Sequence, residues 1–238
     1  MRELIFLDTE TTGNEVGKDR LCQVSYKTSK GLKTGYFKPP LPMSVKAMSV
    51  THITNKMLEK AEIFQGSEMY KELEGLLEEG IMVAHNAVFD KAILEAEGLV
   101  VPRRICTLRL ARYLDPDNRI PEYNLQFLRY YLDLEIEGEA HDAEGDVKVL
   151  VALFDRLKTK MMDKIMDEES VIKEMIEVSE RPSIFNYFNF GKYKDKPLAE
   201  VAKTDKAYLE WLLAQKSVNA SQEEDWIYTL KHYLGLNS

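Results

Sequence analysis

The sequence predicts an α/β protein built on a mixed sheet. Three observations carry that expectation: an apolar run near the N-terminus, two strand-like segments around a turn, and helical periodicity from Ser44 onward, interrupted by another apolar run. The first run, "ELIFLD", ends in an acid and gives way to "TETTG", whose Gly13 favours a turn, so it reads as a buried strand opening into a loop. "LCQVSYKT" and "LKTGYFKP" mix apolar and polar residues around Ser29-Lys30-Gly31, a hairpin signal. "SEMYKELEGLLEE" then places Met69, Leu73, Leu76 and Leu77 on one helix face, and Gly80 stops it. "IMVAHN" is a fourth strand and "AVFDKAILEAEG" a helix ended by Gly98. After "VPRRICT", "LRLARYL" and "YNLQFLRYYL" have helical spacing across the Pro- and Asp-rich loop "DPDNRIPE". From His141 the chain reads as one long amphipathic helix or two in series, with Met161, Met162, Ile165 and Met166 as a core stripe.

The helical pattern stops near Arg181-Pro182. Residues 182–238 hold seven lysines and seven acids, so the formal charge of −8 resides in residues 1–181. The tail also carries both tryptophans, Trp211 and Trp226. With 45% hydrophobic residues and no excess of Gly or Pro, the chain is neither collagenous, mucin-like nor disordered. Its apolar runs fall short of the roughly 20 residues of a membrane helix, so no membrane partner is expected. Met1-Arg2-Glu3 leads straight into the first strand without a secretory pattern, and Cys22 and Cys106 fit neither a disulfide framework nor zinc spacing. A cytoplasmic location is expected. The acidic balance argues against wrapping nucleic acid through lysine and arginine, but it leaves room for a site where metal ions supply the positive charge.

Asp8 and Glu10, two apart after the first strand, project to the same side of an extended chain. Two carboxylates facing one point repel, and a divalent cation bound by oxygen ligands relieves that repulsion. Taken alone, the pair also reads as solvated loop acids. Asp90 in "AHNAVFDKAIL" reads alone as first-turn helix charge, and Asp146, five residues after His141 in "HDAEGDVKVL", as part of an acidic helical turn.

Together, "FLDTETTG", "AHNAVFD" and "HDAEGD" resemble the three motifs of the DEDDh 3′-5′ exonucleases, the family that includes polymerase III epsilon-like proofreading subunits. The tail segment "FNFGKYKDKPLAEVAKTDKAYLEWLL" resembles the small C-terminal domain of the exodeoxyribonuclease X group, with Asp195 where that group tends to have glycine. The resemblance implies an RNase H-like mixed five-stranded sheet flanked by helices, plus a small, mainly helical C-terminal domain. The expected division is a nuclease domain over 1–160, a helical connector over 161–181 and an accessory domain over 182–238. It further implies that Asp8, Glu10, Asp90 and Asp146 hold two divalent ions, Mg²⁺ or Mn²⁺, with His141 as general base. The implied reaction releases nucleoside 5′-monophosphates from DNA 3′ ends, in DNA repair. Substrate contacts are expected from Thr11, with the Glu10 and Thr11 backbone, and from His52, Asn86 and Phe89.

Several features keep two readings. Phe89 suits base stacking or helix packing, His52 a substrate contact or a hydrogen-bonded structural role, and Arg103 and Arg104 a phosphate contact or a solvated pair. His85 reads as structural, Cys106 as a buried thiol, and His232 shows no role. Lys192, Lys194 and Lys196, near Phe188, Phe190 and Tyr193, suit a nucleic-acid surface or an ordinary domain surface. Alternative functions are a polymerase-associated proofreader, with a polymerase as protein partner, a 3′-5′ exoribonuclease acting on RNA, and a non-catalytic module binding nucleic-acid ends.

Overall fold

In the computed structural model, which describes residues 2–134, 136, 143–218, 220 and 223–236, the first strand β1 (Leu4–Thr11) forms the centre of the sheet. Alternation sends Ile5, Leu7, Thr9 and Thr11 to one face and Leu4, Phe6, Asp8 and Glu10 to the other. The hairpin of β2 (Leu21–Thr28) and β3 (Gly31–Tyr36) pairs antiparallel on one side of β1. Past the two short helices α1 (Val45–Thr51) and α2 (Asn55–Leu58), α3 (Glu68–Glu79) leads into β4 (Ile81–Ala84), which pairs parallel on the other side. Helix α4 (Ala87–Ala96) returns the chain to β5 (Arg104–Cys106), a three-residue parallel edge strand. The order β3-β2-β1-β4-β5 is the mixed five-stranded sheet expected.

Both faces are covered, as a partly parallel sheet requires. On the Ile5/Leu7 face, Leu73 and Leu77 of α3 and Ile93 and Leu94 of α4 complete one core. The opposite face is closed by α5 (Thr107–Leu114), α6 (Leu125–Tyr131), α7 (Ala143–Met162) and α8 (Glu168–Glu180). The long helical stretch is thus two helices in series. Of the expected methionine stripe, Met161 is buried and Ile165 packs partly, whereas Met162 and Met166 are exposed, Met166 by 96%. The reason is that α7 ends at Met162, so Met166 falls in the link to α8 and the helical period lapses.

The remaining helices, α9 (Leu198–Thr204), α10 (Lys206–Ser217) and α11 (Glu224–Leu234), enclose a separate core of Phe185, Phe188, Leu209, Trp226 and Leu230. They are tied to the sheet-bearing part through α5. Arg109, 5% exposed, donates to Ser179 O at 2.9 Å and pairs with Glu224, while Arg112 pairs with Asp225 and lies 5.0 Å from the Phe185 ring centroid. Asp195 has φ +66°, the left-handed conformation that glycine enters freely and aspartate tolerates, which accounts for glycine at this point in the resembling group. Among the described residues no helix is long and apolar enough to cross a membrane.

Candidate active site

The alternation of β1 presents Asp8 and Glu10 to the face that α7 covers. Phe6 on that face meets Phe154 of α7 edge-to-face at 5.2 Å. From Phe154, eight residues toward the helix N-terminus span about 12 Å, and four residues along β1 span about 13 Å. Helix and strand therefore run back along each other, and Asp146 arrives beside Asp8 and Glu10. Carboxylate oxygens of the three acids lie within 4.8 Å of one another. Asp146 heads the stripe Leu150, Leu153 and Leu157 at helical spacing, so the residues that bury α7 also aim its acid at the sheet. Gln126 of α6 donates its side-chain N–H to Asp146 Oδ1.

Asp90 comes from the first turn of α4 and is buried, its Oδ1 accepting from Thr9 Oγ1 at 2.8 Å. It stands outside the tight trio but close enough for its charge to act on Asp8 and Glu10. Burial pushes the Asp8 carboxyl well above the usual carboxylate range, and the charges of Asp90, Glu10 and Asp146 push it further. Burial, then Asp146 and Asp90, raises Glu10 to about 7. For Asp90, burial outweighs the Thr9 hydrogen bond, again giving about 7. Among the described residues no cationic side chain pairs with Asp8, Glu10 or Asp90. A crowded set of carboxylate oxygens of this kind fits a hard divalent cation.

His141 lies outside the described residues. Thr11 is buried and its hydroxyl donates to Gly13 O at 2.6 Å. His52 ends α1 at φ 58° and is exposed, its ring without a hydrogen-bond partner among the described residues, so the hydrogen-bonded structural reading does not hold. Asn86, at φ 63°, is the exposed N-cap of α4 and makes no side-chain cap bond. Asn86 and half-buried Phe89 line a groove of about 1000 Å³ that continues past Arg112 to Phe185 and Trp226. Phe89 also packs on the first core, as the helix-packing reading expects.

His85 is structural: Nδ1 lies 2.9 Å from Thr107 Oγ1 and Nε2 2.7 Å from Tyr123 O, and burial lowers its pKa to about 4. Cys106 is a buried thiol. Arg103 is not a free solvated side chain; it closes the C-terminus of α3 by donating to Gly80 O at 2.9 Å and to Glu78 O. In the tail, Phe188 is buried and Lys192 is held by Asp205 at 3.0 Å, leaving Lys194 and Lys196 as the exposed lysines of that cluster without an ion pair among the described residues. Sequence reasoning missed Gln126 and also Asp19, which binds Thr12 Oγ1 at 2.7 Å and the Glu15 N–H at 2.8 Å. Gly13 belongs to that loop because a Cβ there would sit 2.5 Å from Asp19 Oδ2.

Comparison with known proteins gives a consistent set of relatives. A family model described as Exonuclease matches residues 5–154, and one described as Exodeoxyribonuclease X-like C-terminal matches residues 188–217. Exodeoxyribonuclease 10 of Escherichia coli (strain K12) is 31% identical over 242 residues, covering 97% of this chain and 98% of its own length. DNA polymerase III subunit epsilon of Treponema pallidum is 28% identical over 158 residues, covering 62% of this chain and 72% of its own length. Among solved structures, "Exonuclease X in complex with 5′ overhanging duplex DNA" has TM-score 0.57 and 24% identity over 75% of this chain and 99% of that one. "Crystal structure of E. coli Exonuclease I in complex with a dT13 oligonucleotide" has TM-score 0.55 and 20% identity, over 70% of this chain and 44% of that one.

Proposed function

Because the chain belongs to the exonuclease family, we propose that it is a metal-dependent 3′-5′ exodeoxyribonuclease that releases nucleoside 5′-monophosphates from DNA 3′ ends, acting in cytoplasmic DNA repair. The observation that carries this reading is the convergence of Asp8, Glu10 and Asp146 within 4.8 Å, with buried Asp90 beside them. DNA as substrate is supported by the relative named exodeoxyribonuclease that aligns over nearly the whole chain, and by fold neighbours solved with duplex and single-stranded DNA. The tail match favours this reading over a proofreading subunit, since the epsilon relative aligns over only 62% of the chain.

In this reading residues 1–160 form the nuclease domain, 161–181 a connector whose helix α8 packs into the second core, and 182–238 an accessory domain. Asp8, Glu10, Asp90 and Asp146 would hold two ions, Mg²⁺ or Mn²⁺. When bound, such ions polarise the scissile phosphate and stabilise the charge on the departing 3′-oxygen. His141 takes the proton of the attacking water; its oxygen bonds to phosphorus and the bond from phosphorus to the 3′-oxygen breaks. Imidazole suits that role because its ordinary pKa of about 6.5 is close to working pH. Thr11 and the backbone of Glu10 and Thr11 meet the terminal 3′-hydroxyl, His52 lines the terminal nucleotide, Asn86 adds a substrate contact beside the second motif, and Phe89 stacks on a base.

The test uses 5′-labelled single-stranded DNA, blunt and recessed duplexes and a matched RNA, with Mg²⁺, Mn²⁺ or EDTA. Wild type is compared with Asp8→Ala and His141→Ala. The expected result is a metal-dependent ladder shortening from the 3′ end, stronger on DNA and lost in both variants. Cleavage of RNA alone would transfer the activity to an exoribonuclease, and wild-type turnover by Asp8→Ala would refute the site.

A further inference from the structure

Gln23 occupies the position on β2 directly opposite Glu10, so its side chain points to the same face of the sheet as Glu10 and Asp8. It is 2% exposed, and its Nε2 is buried without a hydrogen-bond partner among the described residues. A buried N–H donor with no acceptor is costly, and such orphans call for a functional explanation. The backbone pins this orientation. Immediately beyond the Glu10–Gln23 pair the register shifts, Thr11 opposing Leu21, so that Cys22 is the extra residue of a β-bulge. Cys22 is buried with Met43, Ala47, Ile53 and Leu58, and its carbonyl accepts from Phe37 N at 2.9 Å. Gln23 therefore cannot slip to the other face without unpacking that cluster.

We propose that Gln23 is a positioning residue of the exonuclease reaction, its Nε2 N–H donating to an oxygen that enters beside Glu10 with the hydrated divalent cation or with the scissile phosphate. The inference rests on the exonuclease reading above. An oxygen arriving at this point satisfies the orphan donor, and the acids around it offer the amide no other use once a cation occupies their oxygens. Gln126, donating to Asp146 Oδ1, is the corresponding amide on the helical side of the cluster. The two glutamines thus differ: one is already engaged in the free protein and fixes an acid, the other is held ready.

The experiment titrates wild-type protein and Gln23→Met, first with Mg²⁺ alone and then with thymidine 5′-monophosphate in excess Mg²⁺, by calorimetry, with unfolding followed in EDTA. Methionine keeps the length and volume and removes the donor. A tenfold or greater loss of affinity is expected in one arm, the usual scale for partners that orient metal-site oxygens. Loss in the Mg²⁺ arm assigns the oxygen to the cation's water; loss in the nucleotide arm alone assigns it to phosphate. In EDTA the variant should be at least as stable as wild type, because an orphan donor has been removed. A structural role would instead lower its stability and leave both affinities unchanged, and that pattern overturns the proposal. If the variant does not fold, the Gln23 side-chain amide resonances of wild type decide: they shift downfield on addition of Mg²⁺ or of Mg²⁺ with nucleotide, and their constancy overturns the proposal. Wild type that binds neither ligand would overturn the exonuclease reading itself, whereas normal wild-type binding matched by Gln23→Met overturns only the role of Gln23.

Discussion

Replacing Glu10 by Gln removes one titrating member of the acidic trio and nearly keeps its shape. Burial, then the charges of Asp146 and Asp90, raises the Glu10 carboxyl from 4.5 to about 7, so the folded protein retains a proton that the unfolded chain has lost. For a raised carboxylate the folded state binds more protons between these values, so stability falls as pH climbs through that window and stays low above it. From about pH 5 to about pH 8 that one group is expected to cost the metal-free wild type about 2.5 kcal/mol. His85, lowered to about 4, has the opposite slope, its stabilisation being complete above about pH 6.5 and lost toward about pH 4, so wild type alone gives a mixed profile. The difference between Glu10→Gln and wild type cancels the His85 slope and reports the Glu10 carboxylate together with the part of the Asp8 shift that the Glu10 charge causes. Urea unfolding in EDTA should show the variant gaining about 2.5 kcal/mol relative to wild type over that range, or roughly 5 to 10 °C in Tm for a chain of this size. Mg²⁺ should close the gap by stabilising wild type, at roughly 2.7 kcal/mol for 100-fold excess over Kd. A difference that does not change with pH would refute the electrostatic account of the cluster.

Three further outcomes follow from the geometry. Asp225→Asn removes the carboxylate that pairs with Arg112 and accepts the Ser183 N–H at 2.8 Å; thermal unfolding should show a loss of about 2 to 4 kcal/mol, and a Tm drop below about 2 °C would contradict it. Asp195→Gly relieves the left-handed backbone and should raise stability by about 0.5 to 1 kcal/mol; destabilisation in denaturant melts would show that the side chain matters more. The His85 ring, held neutral by burial, should show nitrogen chemical shifts that stay constant from about pH 8 down to about pH 5.5, and titration near pH 6.5 would exclude the burial described.

The parts of the site legible in the sequence are those set by local period. Asp8 and Glu10 share a side because a strand repeats every two residues, and Asp146 continues the stripe of Leu150, Leu153 and Leu157. Gln23 and Ser25 were not legible as site-facing. Alternation in "LCQVSYKT" ordinarily marks a half-solvated strand, yet here α7 covers the polar face and all but Lys27 of β2 are buried. Arg103 shows the same limit, since its acceptors, Gly80 O and Glu78 O, lie more than twenty residues earlier and meet it only through β4–β5 pairing. The tail cluster looked uniformly basic and aromatic, but its rings form a core and Lys192 is spent on Asp205. Asp195 carried a readable signal, a side chain where glycine is usual, and the backbone there is left-handed.

The alignment of α7 along β1 ties the chemistry to residue count. Phe154 is locked against Phe6, so deleting or inserting one residue between Asp146 and Phe154 would swing the acid by about 100° around the helix axis and slide it about 1.5 Å, away from Asp8 and Glu10. Every carboxylate would still be present, but the trio would be broken. Length changes in this stretch are therefore expected to be far less tolerated than side-chain changes on its solvent face, whereas length changes ahead of Ala143 leave the phase between Asp146 and Phe154 untouched.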